Sequence, residues 1–249
     1  MVYAGKLRRY LSIRTFVDPW KNIFGFFQAL FIFRRYGTRV VFSKGGYVSL
    51  PVALAARFMG IPVLLHESDT VPGLANRLVA RFSRQVFLGF DEAKRWFSGS
   101  SVEVVGQILS PVYLQAQRGT KHYDTSRPVR LLVQCGSQGS SRIFDRLLAT
   151  PDLLSRFETI VLLGTKNEHY REAFESVGVR AMEFAPPEEL VSLYQWADVA
   201  IVRGSATILA ELSLFDVRMC IVPLPETGGD HQTANARVYE KLGHVNIPQ

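Results

Sequence analysis

Five short stretches gather residues able to do polar chemistry, and each follows an apolar run. Ser43-Lys44-Gly45-Gly46-Tyr47-Val48-Ser49 offers bare backbone amides at the start of a helix, which is a general anion site. His66-Glu67-Ser68-Asp69-Thr70-Val71-Pro72-Gly73 sets four polar side chains in a row, more than a turn requires, although His66 can also serve as a hydrogen-bonded core histidine. Cys135-Gly136-Ser137-Gln138-Gly139-Ser140-Ser141 joins a strand to a helix and can wrap amides and hydroxyls around a phosphate. It lacks the Gly-Lys-Ser/Thr ending of a P-loop and the spacing of a dinucleotide fingerprint, which counts against ATP and NAD. In Arg203-Gly204-Ser205-Ala206-Thr207-Ile208-Leu209-Ala210-Glu211 small residues open a helix. Glu211 then falls on an apolar stretch, where an unpaired charge is costly, so it needs a fixed partner such as a ribose diol or a buried arginine. In Gly229-Asp230-His231-Gln232-Thr233-Ala234-Asn235-Ala236 the amides of Gln232 and Asn235, three apart on a helix, face one way and can bond neighbouring sugar hydroxyls. No Cys/His cluster has metal-ligand spacing and no Ser/His/Asp order stands out, so neither a metal nor another cofactor is expected. Glycine amides, side-chain amides and one carboxylate suit a sugar nucleotide.

The elements that must position these loops alternate. Apolar runs at 40–42, 63–65 and 86–88 read as buried strands, with helices at about 48–59 and 75–82. A polar stretch ending in Pro128 breaks the pattern and reads as a linker at 116–128 between domains at 1–115 and 129–249. A second series follows, with strands at 129–134, 159–163, 181–184, 199–202 and 219–222 and helices at 141–149, 168–174, 187–195, 206–214 and 232–241. This is an α/β layout of two Rossmann-like domains with parallel sheets, whose ligands gather at the carboxyl ends of strands. The first half lacks an opening strand with a glycine-rich turn and the second shows no strand after its last helix, so the fold is expected to be incomplete at both termini.

The 249 residues are 47% hydrophobic and 20% charged, which supports a packed core and excludes wholesale disorder. Cys135 and Cys220 lie in apolar runs and read as core thiols of a protein in a reducing compartment. Residues 1–39 hold eight basic side chains against the single acid Asp18, so this segment carries the whole net charge of +7. Asp18-Pro19 suits a helix start, and Gly37 after Arg34 and Arg35 suits a stop, which predicts a helix over 19–36. Phe16, Trp20, Phe24, Phe27 and Phe31 recur at spacings of four, four, three and four, and Ile23, Phe26, Leu30 and Phe33 widen the apolar face. The stretch from Ile23 to Phe33 is shorter than the about 20 apolar residues that span a bilayer. Two readings are open together: a core helix with a basic rim, and an interfacial helix resting on anionic lipid. No nucleic-acid-binding motif is present, and no nucleic-acid partner is expected.

Taken together, the loops resemble the MurG family, the bacterial N-acetylglucosaminyltransferases of peptidoglycan synthesis, from about residue 15 to 245. Gly45-Gly46-Tyr47-Val48-Ser49, His66-Glu67, Pro72-Gly73-Leu74-Ala75-Asn76-Arg77, Gly136-Ser137-Gln138-Gly139, Ala206-Thr207 with Glu211, and His231-Gln232 with Asn235-Ala236 stand as that family writes them. The resemblance implies a GT-B fold whose C-terminal half holds UDP-N-acetylglucosamine (UDP-GlcNAc). Its N-terminal half would meet undecaprenyl-linked muramoyl-pentapeptide at the cytoplasmic face of the plasma membrane, as a peripheral enzyme. On that basis Glu211 would hold the ribose, Gly136, Ser137 and Gln138 the diphosphate, with Ala206 and Thr207 beside them. Gln232 and Asn235 would hold the GlcNAc, and the backbone near Ala185 the uracil. Gly45, Gly46, Tyr47 and Glu67 would face the acceptor, while Trp20, Phe24, Phe27, Phe31, Arg34 and Arg35 would form the membrane patch. The family's N-terminal glycine-rich turn with its histidine has no match here, Asp69 replaces an asparagine, and Gly106-Gln107-Ile108-Leu109-Ser110 lacks an arginine. The family's final helices are absent too. The general base therefore falls to His66 or Asp69. Two alternatives stay open: a non-catalytic or split sugar-nucleotide-binding remnant, and another UDP-sugar transferase acting on a glycolipid.

Overall fold

A computed structural model describes residues 13–46, 48–116, 124, 126–224 and 229–247, with side chains from residue 20 onward. The chain divides into two compact units, one up to Gln107 and one from Ile108.

The first unit begins with helix α1 (Ile13–Tyr36), then runs β1 (Val41–Ser43), α2 (Ser49–Phe58), β2 (Val63–Glu67), α3 (Leu74–Ala80), β3 (Gln85–Leu88), a 3-10 turn (Asp91–Trp96) and β4 (Val102–Val104). Its four strands are parallel and lie in chain order. Ala29 and Phe33, one turn apart on α1, join Ala53 and Ala56 of α2 and Val63, Leu65, Val86 and Leu88 of the sheet in one core. The helix starts at Ile13, not at the expected Asp18-Pro19 cap. Ile13, Phe16 and Trp20 carry the three-four spacing across the proline, and that pattern outweighs the one hydrogen bond Pro19 cannot donate. Gly37, at φ +59°, ends it as expected. Strand β4 was not anticipated, because three residues with exposed Glu103 at their centre leave no apolar run to read.

The second unit contains α4 (Pro111–Gln115), β5 (Val129–Gln134), α5 (Ser141–Leu148), α6 (Pro151–Leu154), β6 (Phe157–Leu162), a 3-10 turn (Glu168–Tyr170) leading into α7 (Arg171–Ser176), and β7 (Arg180–Met182). It continues with α8 (Pro187–Trp196), β8 (Val199–Val202), α9 (Ala206–Leu214), β9 (Arg218–Ile221), α10 (His231–Glu240) and β10 (Val245–Asn246). The all-parallel sheet has the order β7-β6-β5-β8-β9-β10. Counted within the unit this is the 3-2-1-4-5-6 arrangement of a doubly wound fold, with its switch point between β5 and β8. Strand β10 corrects the expectation that nothing follows the last helix; two half-exposed residues give no periodic signal. Residues 108–115, which the sequence reading assigned to the first domain, group here, and Tyr113 of α4 packs on Tyr194 of α8 with ring centroids 5.9 Å apart. At the base of the sheet Asp198 accepts from two Arg127 nitrogens at 2.7 and 3.0 Å and from the Arg130 amide at 2.9 Å, which fastens the chain entering β5 to the start of β8.

Candidate functional site

Two loops leave the switch point in the second unit. The β5 loop is pressed backbone to backbone against the loop after β6. A Cβ on Gly139 (φ +66°) would lie 1.9 Å from the Leu163 carbonyl oxygen, and one on Gly164 would lie 2.5 Å from the Gly139 nitrogen. The Thr165 amide donates to the Ser137 carbonyl at 3.0 Å, and Asn167 Nδ2 donates to the carbonyls of Gln138 at 2.6 Å and Leu163 at 2.9 Å. With its carbonyls so anchored, the loop leaves Ser137 and Gln138 exposed. Beside it opens a cleft of about 160 Å³ lined by Gly136, Ser137, Gly164, Phe184, Ala185 and Ile208. Ala185 is buried in its wall, and Phe184 is 60% exposed.

The β8 loop is equally constrained. A Cβ on Gly204 would meet the Gln232 carbonyl oxygen at 2.3 Å, so only glycine lets α10 approach this turn. Asn235 is fully buried and donates to the Gly204 carbonyl at 3.1 Å, while Gln232 Oε1 accepts from the Leu224 amide at 3.0 Å. This corrects the picture of two matching amides. Asn235 ties α10 to the β8 turn, and Gln232 keeps its amino group as a donor. At the start of α9, Ala206 is buried and Thr207 half-buried. Glu211 is 9% exposed, and its Oε2 accepts from the Tyr194 hydroxyl at 2.9 Å. Burial and the adjacent Glu211 charge push the Tyr194 phenol up, so it stays a neutral donor at physiological pH.

In the first unit the β2 loop is braced from within. His66 is fully buried; Nε2 donates to the Gly106 carbonyl at 2.9 Å and Ser68 Oγ lies 3.4 Å from Nδ1. Burial lowers its pKa and keeps it neutral. Buried, and bonded through Nε2 to Gly106, His66 fits the core-histidine reading. Glu67 is buried too, and accepts from the Asp69 amide at 2.9 Å and from Asn76 Nδ2 at 2.7 Å. Desolvation pushes its pKa up to about 7 against those two bonds. Glu67 thus shapes the loop from behind, through its bonds to Asp69 and Asn76. Asp69 is half-buried. Gln107 Nε2 donates to the Ser68 carbonyl at 2.6 Å, and a Cβ on Gly89 would fall 2.1 Å from that nitrogen.

Gly45 and Gly46 have consecutive positive φ of +87° and +88° ahead of α2, a left-handed backbone that favours glycine. The Gly45 amide donates to Ser43 Oγ at 3.2 Å, and Ser49 Oγ donates to the Gly46 carbonyl at 2.6 Å. Tyr47 lies outside the described residues. On α1, Trp20, Phe24, Phe27 and Phe31 are 56–72% exposed, on the side away from buried Ala29 and Phe33, and Arg34 and Arg35 follow them into solvent. The helix therefore has two apolar faces, of which the core covers one. No helix among the described residues is long and apolar enough to cross a membrane.

Tyr194, Asn76 and Gln107 hold these loops in place, and the sequence reading gave none of them a role. Gln107 had a readable signal, a polar side chain directly after the Val104-Val105-Gly106 strand exit; Tyr194 had none.

A doubly wound unit with glycine-rich loops at its switch point and a second parallel α/β unit make up the two-Rossmann-like architecture of the GT-B class. Residues 2–88 match the glycosyltransferase family 28 N-terminal domain and residues 130–247 its C-terminal domain. Over 99% of its length the chain is 36% identical to the UDP-N-acetylglucosamine--N-acetylmuramyl-(pentapeptide) pyrophosphoryl-undecaprenol N-acetylglucosamine transferase of Geobacillus kaustophilus, of which it covers 70%. It is 35% identical to the enzyme of the same name from Clostridium kluyveri, of which it covers 71%. The crystal structure of MurG from Acinetobacter baumannii superposes with a TM-score of 0.71 at 26% identity, over 99% of this chain and 70% of that one. The chain belongs to the MurG family of N-acetylglucosaminyltransferases.

Proposed function

We propose that this chain transfers N-acetylglucosamine from UDP-GlcNAc to undecaprenyl-linked muramoyl-pentapeptide with inversion, and that its second unit holds the donor. The observation that carries this reading is the cleft at the strand ends, lined by the Gly136 and Gly164 backbone, Ser137 and Ile208 in the first turn of α9. Helix-terminal amides favour an anion through both hydrogen bonds and the dipole. The diphosphate is assigned to Gly136, Ser137 and Gln138 with Ala206 and Thr207, the base to the backbone of Ala185, the ribose diol to Glu211 and the GlcNAc to the Gln232 amino group. Preorganised donors of this kind stabilise the departing UDP electrostatically, so turnover should persist in EDTA.

On the acceptor side, the Gly45-Gly46 turn at the start of α2, with Tyr47, suits the lipid diphosphate. Asp69 is the base candidate at the β2 loop, since the His66 ring is consumed by its neighbours. The exposed aromatic stripe and arginines of α1 suit an anionic membrane surface at the cytoplasmic face, where apolar insertion and charge act together. Incubation with both substrates tests the whole reading. Formation of the disaccharide lipid supports it, UDP-GlcNAc binding without turnover favours a sugar-nucleotide-binding protein, and absence of both refutes the donor site.

A further inference from the structure

Glu211 is held by a chain of buried polar groups that reaches back to the floor of the cleft. Its Oε2 accepts from the Tyr194 hydroxyl at 2.9 Å. That phenol is fully buried, and its ring is wedged between Tyr113 on one side, at 5.9 Å, and Phe215 on the other, at 5.6 Å, so the hydroxyl cannot swing away. The phenol oxygen is in turn hydrogen-bonded by the side chain of Gln134, the last residue of β5. Because the phenol proton goes to Glu211, the oxygen must accept, and Gln134 must donate through its amino group. The other end of that amide, Oε1, is buried and has no hydrogen-bond partner among the described residues. A buried orphan acceptor is costly, and an aliphatic side chain would avoid it, so what Gln134 contributes here is its N–H. Gln134 lines the cleft, as does Ile208, which lies one turn before Glu211 on α9.

We propose that Tyr194, oriented by Gln134, is a positioning residue that fixes the Glu211 carboxylate to accept from the ribose diol of a bound nucleoside diphosphate, and so sets the preference for ribo- over deoxyribonucleotides. The proposal rests on the donor-site reading given above. A carboxylate directed by a rigid donor meets both hydroxyls of a diol in one geometry. Removing the Tyr194 hydroxyl takes away one of the donors that set that geometry.

The test is calorimetric titration of UDP and 2′-deoxy-UDP into the whole chain and into Y194F, which deletes one oxygen and leaves the ring packing in place. The wild type should prefer UDP by about tenfold, and Y194F by about twofold or less, with 2′-deoxy-UDP affinity almost unchanged. Q134M, close in volume to glutamine, should shift the ratio the same way, and supplies the measurement if Y194F does not fold. A merely structural role would lower affinity for both nucleotides equally, and that result, or an unchanged ratio in both variants, overturns the proposal while leaving the donor site standing. A wild type that binds neither nucleotide removes the donor reading and this proposal with it.

Discussion

Replacing Glu67 by glutamine isolates what it costs the first unit to bury a carboxylate. Glu67 is 3% exposed, and burial outweighs the bonds from Asp69 and Asn76 to raise its pKa from the ordinary 4.5 to about 7. The folded state thus binds the proton more tightly than the unfolded one. The stability Glu67 contributes is fully present below about pH 4.5 and is lost as the pH rises through about 7, a span worth about 3 kcal/mol. Glutamine does not titrate. It keeps an acceptor for the Asp69 amide, and its amino group can donate to Asn76 Oδ1, which is buried with no partner among the described residues, once the Asn76 amide turns over. E67Q should therefore be at least as stable as the wild type at pH 8, with the wild type gaining about 2.5 kcal/mol on the variant as the pH falls to 5. Because a chain with two units need not unfold in one step, the measurement is urea-dependent hydrogen exchange at Val63–Glu67, corrected for intrinsic rates. Parallel stability curves for the two proteins would show that Glu67 stays ionised throughout. A variant less stable at pH 8 would show that the two hydrogen bonds outweigh desolvation.

At the donor site, Glu211→Ala should weaken UDP binding by about 2–3 kcal/mol, the value of charge-assisted hydrogen bonds. Gln232→Ala should weaken UDP-GlcNAc and leave UDP nearly unchanged; equal losses for both ligands in calorimetry would refute the sugar assignment. Gly139→Ala combines a left-handed backbone with a Cβ 1.9 Å from a carbonyl oxygen, and should cost the second unit about 2–4 kcal/mol, so an unaltered melting temperature would contradict the close approach of the two loops. Phe24→Ser with Phe31→Ser alters side chains 56% and 64% exposed, so the fold should survive while sedimentation with anionic vesicles falls at low salt. Wild-type binding should fall further as added salt shrinks the Debye length from about 10 Å at 0.1 M to about 3 Å at 1 M, and a double mutant that unfolds would show the face to be core.

Strands β5 and β8 and helix α9 were legible to the residue, because apolar runs there are bounded by Pro128, Asp198 and Gly204. The two-residue β10 and the three-residue β4 are held by pairing with longer neighbours, which no local pattern announces. The site divides along the same line. That a strand end followed by small polar residues marks a ligand loop could be read, since it depends on composition and order alone. Which polar residue in each loop meets the ligand could not, because that depends on partners far along the chain: Gly106 for His66, Gly204 for Asn235, Glu211 for Tyr194. Gln232 and Asn235 lie on one helix face, yet Asn235 has no exposed surface at all and Gln232 has 8%.

The reason is general to loops at a switch point. A loop that presents backbone amides to a phosphate cannot spend them on secondary structure, so it must be held in place by side chains acting from behind. Those side chains have to be polar to satisfy the loop's own carbonyls and buried to be rigid. Asn167 does this for the β5 loop, Asn235 for the β8 loop, and Gln107 for the β2 loop. A cluster of polar residues after a buried strand therefore contains both the groups that touch the ligand and the groups that hold the loop, and they are drawn from the same residue types. Composition finds the loop, and the bonds a side chain makes inside the fold mark the groups that hold it. His66, Glu67 and Asn235 are buried and bonded within the protein, whereas Ser137 and Gln138 are exposed on a loop whose carbonyls are already anchored.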